Sequence, residues 1–150
     1  MNIKFLVAAL AIATTFAACK KDKDNELVPE ETQLPAGTFR LIESVQFDQA
    51  GNDSVSVRYP ISNLNLAFNQ ETKIASVSGK QENVQVAGTY TANADHTLTN
   101  GVVDYIKIVT TPTDSLIIGL LNNVDKFEVN NQTVTVNAKG KGRLVFSMQK

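Results

Sequence analysis

The 150-residue chain balances 14 lysines and arginines against 15 aspartates and glutamates, for a formal net charge of −1. That balance leaves no basic footprint for a nucleic-acid backbone. With 43% hydrophobic residues the chain has enough apolar material for a core, while one cysteine and one histidine are too few for a disulfide or a conventional zinc site.

The amino terminus and Lys4 supply a short basic start, and Phe5 to Ala18 then run apolar. That run falls short of the roughly 20 residues a transmembrane helix needs. It has the size and small-residue end of a secretory signal peptide. Its end, Thr15-Phe16-Ala17-Ala18-Cys19, resembles the bacterial lipobox, in which small residues precede a cysteine. The resemblance implies that residues 1–18 are a cleaved signal, that the Cys19 sulfur receives a diacylglyceryl group, and that the new amino terminus is acylated. Two or more acyl chains give stable anchoring, at about 0.8 kcal/mol per buried CH₂. A secreted protein with a chance cysteine at this place is the alternative.

The tail Lys20-Lys21-Asp22-Lys23-Asp24-Asn25-Glu26 is hydrophilic. Similar tails follow the lipidated cysteine in lipoproteins of the Bacteroidota, where they can direct export to the cell surface; a plain solvated spacer is the other reading. Residue 20 is Lys rather than Asp, so the inner-membrane retention signal of enteric bacteria is missing. The location this implies is the outer membrane, by lipid anchor, facing the periplasm or the outside. Residues 19–36 read as lipidated cysteine and flexible linker, since Pro29, Glu30, Glu31 and Pro35 show no apolar period. A domain at residues 37–150 is left, within the usual single-domain range.

From Thr38 onward the apolar residues recur every second position, the mark of a strand with one face packed and one face wet. Phe39, Leu41, Val45 and Phe47 share one parity, and the turn Asp48-Gln49-Ala50-Gly51-Asn52-Asp53 follows. Val55, Val57 and Tyr59 alternate next, then Leu64, Leu66 and Phe68, then Ile74 to Ser78, then Val84, Val86, Gly88 and Tyr90. Val102 to Val109 is apolar on both parities and reads as a central strand. Glu128 to Val134 reads as a hairpin whose Asn130-Asn131 tip tolerates positive φ. Leu144, Phe146 and Met148 close the series after the turn Ala138-Lys139-Gly140-Lys141-Gly142.

One segment breaks the period. Thr111-Pro112-Thr113-Asp114 offers an N-cap, a proline at the first helical position and an acid at the third. Leu116, Ile117, Leu120, Leu121 and Val124 then recur at helical spacing, so a short amphipathic helix is expected, with a buried strand at Leu116–Leu121 as the alternative. Gly119 costs such a helix about 1 kcal/mol against alanine. The predicted fold is therefore mainly β: a strongly curved antiparallel sheet or partly closed barrel of seven to nine strands, with one short helix covering an open side.

The order of features resembles the META domain family, a group that includes heat-inducible bacterial lipoproteins. The likeness runs through GTFRLIES (37–44), LNLAF (64–68), VSGKQENVQVAGTY (77–90), TTP (110–112), LLNNVDKFEVNNQTVTV (120–136) and GRLVF (142–146). Phe39 stands where that family has Trp, and Gly79-Lys80-Gln81 and Thr113-Asp114-Ser115 stand where it often has Cys or Met. A lipocalin-like barrel is the alternative. Neither family brings a settled catalytic set, so the resemblance implies a fold more than a reaction.

The chain offers little chemistry. His96 lies in a polar loop without a second imidazole, and no G-x-S-x-G segment exists for a hydrolase nucleophile. Asp104 interrupts an apolar strand and is read as solvent-facing. Glu43 shares the parity of Phe39 and Val45, so it should point inward and need Arg40, Arg58 or Arg143, or a polar barrel mouth. Lys139, Lys141 and Arg143 read as a solvated hairpin tip. Asp53-Ser54-Val55 and Asp114-Ser115-Leu116 are similar to the short acid–hydroxyl–apolar acceptor of O-glycosylation in the Bacteroidota. No catalytic residues, metal ligands or cofactor follow from these observations. Lipidation at Cys19 is the one site they support, with three function classes in order. These are a non-enzymatic module for a small apolar ligand or peptide, a structural or stress-related partner of an outer-membrane protein, and, last, an enzyme.

Overall fold

A computed structural model describes residues 33–107 and 111–150. Cys19, and with it the signal and most of the linker, lies outside the described residues. Nine strands and one helix follow in chain order: β1 (Thr38–Phe47), β2 (Asp53–Arg58), β3 (Asn63–Asn69), β4 (Ile74–Gln81), β5 (Val84–Ala92), β6 (Leu98–Lys107), α1 (Pro112–Leu121), β7 (Val124–Asn130), β8 (Thr133–Ala138) and β9 (Gly142–Met148). All strand pairs are antiparallel, in the order β6-β5-β4-β3-β1-β9-β8-β7. The sheet curls into a half-barrel whose outermost strands approach each other at one bridge, Thr97 with Lys126.

β1 organises this sheet because a bulge divides it. Its first part, Thr38 to Arg40, pairs with β3, and its second, Glu43 to Phe47, pairs with β2. Against β9 the register slips between Leu41 and Glu43. A bulge puts two residues opposite one and reverses the parity beyond it. Ser44, opposite Leu144, therefore takes the core-facing place and is fully buried, its Oγ 2.8 Å from the Tyr59 hydroxyl. Glu43 is turned away from the core, correcting the inward assignment made from simple alternation. It accepts a 2.6 Å bond from Ser56 Oγ and lies 3.6 Å from Arg58 Nε, one of the arginines named for it.

The concave side is filled by one apolar cluster. Phe39, Leu41, Leu64, Phe127, Leu144 and Phe146 are at most 1% exposed, and α1 adds Ile117, Leu120 and Leu121. Each such side chain contributes on the order of 2 kcal/mol by leaving water. Leu34 is buried in the same cluster, and Gln70 Nε2 donates to its carbonyl, so packing begins upstream of Gly37.

The helix has the cap its sequence foretells. Thr111 Oγ1 accepts from Asp114 N at 3.1 Å, and Asp114 Oδ2 accepts from Thr111 N at 3.0 Å. This reciprocal box satisfies donors that a helix start leaves open. The helix ends at Leu121, so Val124 begins β7 instead of extending the helical stripe. Packed against β1, β8 and β9, α1 covers one open side of the half-barrel.

The strand read as central stands elsewhere. β6 is an outermost strand, paired only with β5 along its length. Residues 108–110 of the expected Val102–Val109 strand lie outside the described residues.

Candidate functional site

Three neighbouring segments build a groove beside α1. The helix supplies Pro112, Ser115, Leu116, Gly119 and Leu120, the end of β1 supplies Phe47, and the β8–β9 turn supplies Gly140 and Lys141. The groove encloses about 550 Å³ and is open to solvent along its length. Positions 112, 115, 116 and 119 fall on one helical face by their three- and four-residue spacing. On that face Pro112 and Ser115 are exposed, while Leu116 is half-buried against the edge of the core.

Glycine shapes this groove twice. A Cβ on Gly119 would meet nothing within 4 Å, so the helix is thinnest where the groove is open. At Gly142, with φ +152°, a Cβ would stand 2.0 Å from the Val45 carbonyl oxygen and 3.0 Å from Leu120 Cδ2. The missing side chain lets β9 start against β1 and brings the Gly140-Lys141 turn beside the helix.

The far wall is braced. Arg143 Nη1 and Nη2 donate to Asp53 Oδ1 and Oδ2 at 2.7 and 2.6 Å, a two-pronged pair from β9 to β2 across β1. The guanidinium lies over the Phe47 ring, 5.5 Å from its centroid. Its hydrogen bond and charge hold the Asp53 carboxyl below the ordinary carboxylate value. Asp48 closes the β1–β2 turn by accepting from Ala50 N and Asn52 N at 2.9 and 2.8 Å, which also lowers its pKa. The braced end of β1 and its turn line one side of the groove with Gln46, Phe47, Asp48 and Gln49, and Lys141 borders it.

His96 belongs to a different feature. Its backbone is left-handed, φ +64°, its carbonyl accepts from Phe127 N at 2.9 Å, and its ring tilts against Phe127 at 4.8 Å between centroids. Phe68 meets the other side of this arrangement at 4.9 Å from Phe127. The residue read as a loop histidine is thus half-buried, and it clasps the β5–β6 loop to β7. Asp104 is solvent-facing on β6, as expected. Lys139, Lys141 and Arg143 do not act as one tip: Arg143 is committed to Asp53, and Lys141 borders the groove. Ser54 and Ser115, of the two acceptor-like triplets, are exposed on β2 and α1. Among the described residues no three of the His, Cys, Asp and Glu side chains come together as a metal site.

Sequence reasoning placed α1 and the β8–β9 turn but missed the groove between them. The signal lay in Gly119, a costly residue in a helix interior with no turn to explain it.

No protein-family model matches the chain, and none of the curated proteins matches it. Among solved structures, the crystal structure of a DUF4847 family protein from Bacteroides vulgatus is similar at a TM-score of 0.49 and 16% identity. The likeness covers 77% of this chain and 94% of that one.

Proposed function

We propose that this protein is a lipid-anchored envelope lipoprotein, held at the outer membrane through Cys19, whose META-like domain is a non-enzymatic binding module. The groove beside α1 is its binding site, and it takes the apolar part of a small ligand or of a peptide. One observation carries this reading: the half-barrel interior is packed with side chains, while an open groove of about 550 Å³, part apolar and part polar, runs over Gly119. That volume is within the range of small-molecule sites. Phe47 and Leu116 offer apolar surface, and Lys141 offers a cation for a carboxylate or other anionic end.

The test of the site is native mass spectrometry of the lipoprotein purified from its own envelope, with and without Gly119→Phe. A copurified apolar molecule or peptide present in the first and absent from the second supports the groove; retention of the same species in the variant removes the site. The test of the anchor is fractionation of Cys19→Ser, which should leave the envelope. If that variant stays with the membranes, the anchoring half of the reading fails while the groove is untouched.

A second reading, support of another envelope protein through the outer surface, is favoured by the apolar side chains exposed on β6.

A further inference from the structure

We propose that the free edge of β6 accepts an extended strand from a different protein, and that this strand sets a lysine or arginine opposite Asp104. The proposal uses residues apart from the groove and stands or falls independently of it.

β6 is ten residues long and hydrogen-bonds β5 on one side only. From Val102 to Lys107 its other side has no strand partner among the described residues. Long open edges invite pairing, and proteins usually blunt them with charge, proline or brevity. Here each face carries one charge, Asp104 outside and Lys107 on the concave side over the Tyr105 ring, among exposed apolar side chains. Val102 and Ile106 point outward, opposite the exposed Thr89 and Gln85, and are 62% and 70% exposed. Tyr105 points to the concave side, opposite the buried Val86, yet is still 43% exposed. Among the described residues, a segment with much of the composition of a covered strand stands uncovered, which is the signature of a surface that meets a partner.

The charges decide which partner. A symmetric antiparallel pair keeps each side chain on its own face, so residue numbers across the pair sum to an even value. One such register sets Val102 against Ile106 and Val103 against Tyr105, matching both apolar faces. It also sets Asp104 directly against Asp104 of the copy, and like charges so placed are destabilising. A second copy of this chain is therefore disfavoured in the register its apolar residues favour. A foreign strand with alternating apolar residues and a central cation keeps the apolar match and turns the repulsion into attraction. A shallow depression of about 320 Å³ on the same outer face runs from Ser76, Ser78 and Ala87 to Val102 and Asp104. Its small side chains leave room for the aliphatic stem of that lysine or arginine to lie across β6. Main-chain bonds would supply the affinity and this contact the choice.

The test uses the full chain in detergent micelles and two synthetic peptides of about nine residues, alternating valine and threonine, with lysine or glutamate at the centre. Amide hydrogen exchange over Val102–Lys107 should slow when the lysine peptide is added. That peptide should bind about fivefold tighter than the glutamate one, the size of an opposite- against like-charge swing across one strand pair. Asp104→Lys, a change at an exposed side chain, should reverse the preference. Unchanged exchange with both peptides, or equal affinity for both, overturns the proposal. Edge amides already protected without peptide in a chain that sediments as a dimer also overturn it, and assign the edge to a second copy.

Discussion

The Tyr90 hydroxyl donates a 2.7 Å hydrogen bond to the carbonyl of Leu121, tying β5 to the last turn of α1. A helix end leaves carbonyls without intrahelical donors, and this one is buried, so a side chain must serve it. The Tyr90 ring also packs over Gly101, where an added Cβ would stand 2.7 Å from ring carbons. Tyr90→Phe keeps the ring and orphans the carbonyl. Urea unfolding should show a loss of about 1–3 kcal/mol, the cost of an unsatisfied buried acceptor.

The same burial predicts alkaline behaviour. Desolvation raises the Tyr90 pKa, and raises that of Tyr59 against the opposing bond from Ser44. Both groups ionise more readily in the unfolded chain than in the folded one. Their contribution is complete below the unfolded phenol value of about 10 and is lost as pH rises above it toward the raised folded values. Urea midpoints measured from about pH 8 to pH 11 should fall at the upper end. In Tyr90→Phe that fall should be shallower, because one of the two linked protons is gone.

The capping box makes a coupled prediction. Thr111→Ala removes an acceptor for Asp114 N, and Asp114→Ala removes the acceptor for Thr111 N. Each single change should cost about 1 kcal/mol in thermal or urea unfolding. Since the two side chains answer each other, the double variant should lose less than the sum of the singles.

How much of this was legible beforehand varies by residue. The helix start at Thr111-Pro112 was, because capping is a local bargain among neighbours in sequence. The β7–β8 tip was also legible, since Asn131 takes its φ of +52° from a tight turn. The bulge after Leu41 was not: Glu43 has the right parity for the core, and only the pairing of β1 with β2, β3 and β9 at once reveals that Ser44 replaces it. Nor was the place of β6. Apolar residues on both parities signal coverage on both faces, but they do not say whether another strand of the same chain provides it. The groove escaped for a related reason, because its three segments, the end of β1, α1 and the β8–β9 turn, are far apart in sequence and only Gly119 hinted at it.

Two glycines beside the groove should respond in opposite directions. Gly119→Ala fits open space and removes a helix-interior penalty, so it should stabilise the fold by up to about 1 kcal/mol. Gly142→Ala combines a φ of +152° with a Cβ driven onto the Val45 carbonyl oxygen. It should destabilise by several times that amount, on the scale of backbone strain plus a core clash. Melting temperatures of the two variants should bracket that of the parent. If Gly142→Ala melts at the parent temperature, the close approach of β9 to β1 is not required for the fold.

The Asp53–Arg143 pair should matter for the groove more than for stability. Both partners are partly solvated, with 55% and 30% of their side chains exposed, and such pairs contribute little to folding. What the pair does is hold Arg143 over Phe47, so Asp53→Asn should free that guanidinium and loosen one groove wall. The Asp53 pKa is depressed in the folded chain, chiefly by the Arg143 hydrogen bond. Its small stabilising effect is therefore present above the unfolded carboxylate value of about 4 and is lost as pH falls through the lower folded value. Asp53→Asn should leave the melting temperature nearly unchanged at neutral pH while weakening whatever ligand copurifies with the groove. Equal ligand occupancy in the parent and the variant would detach Arg143 from the groove.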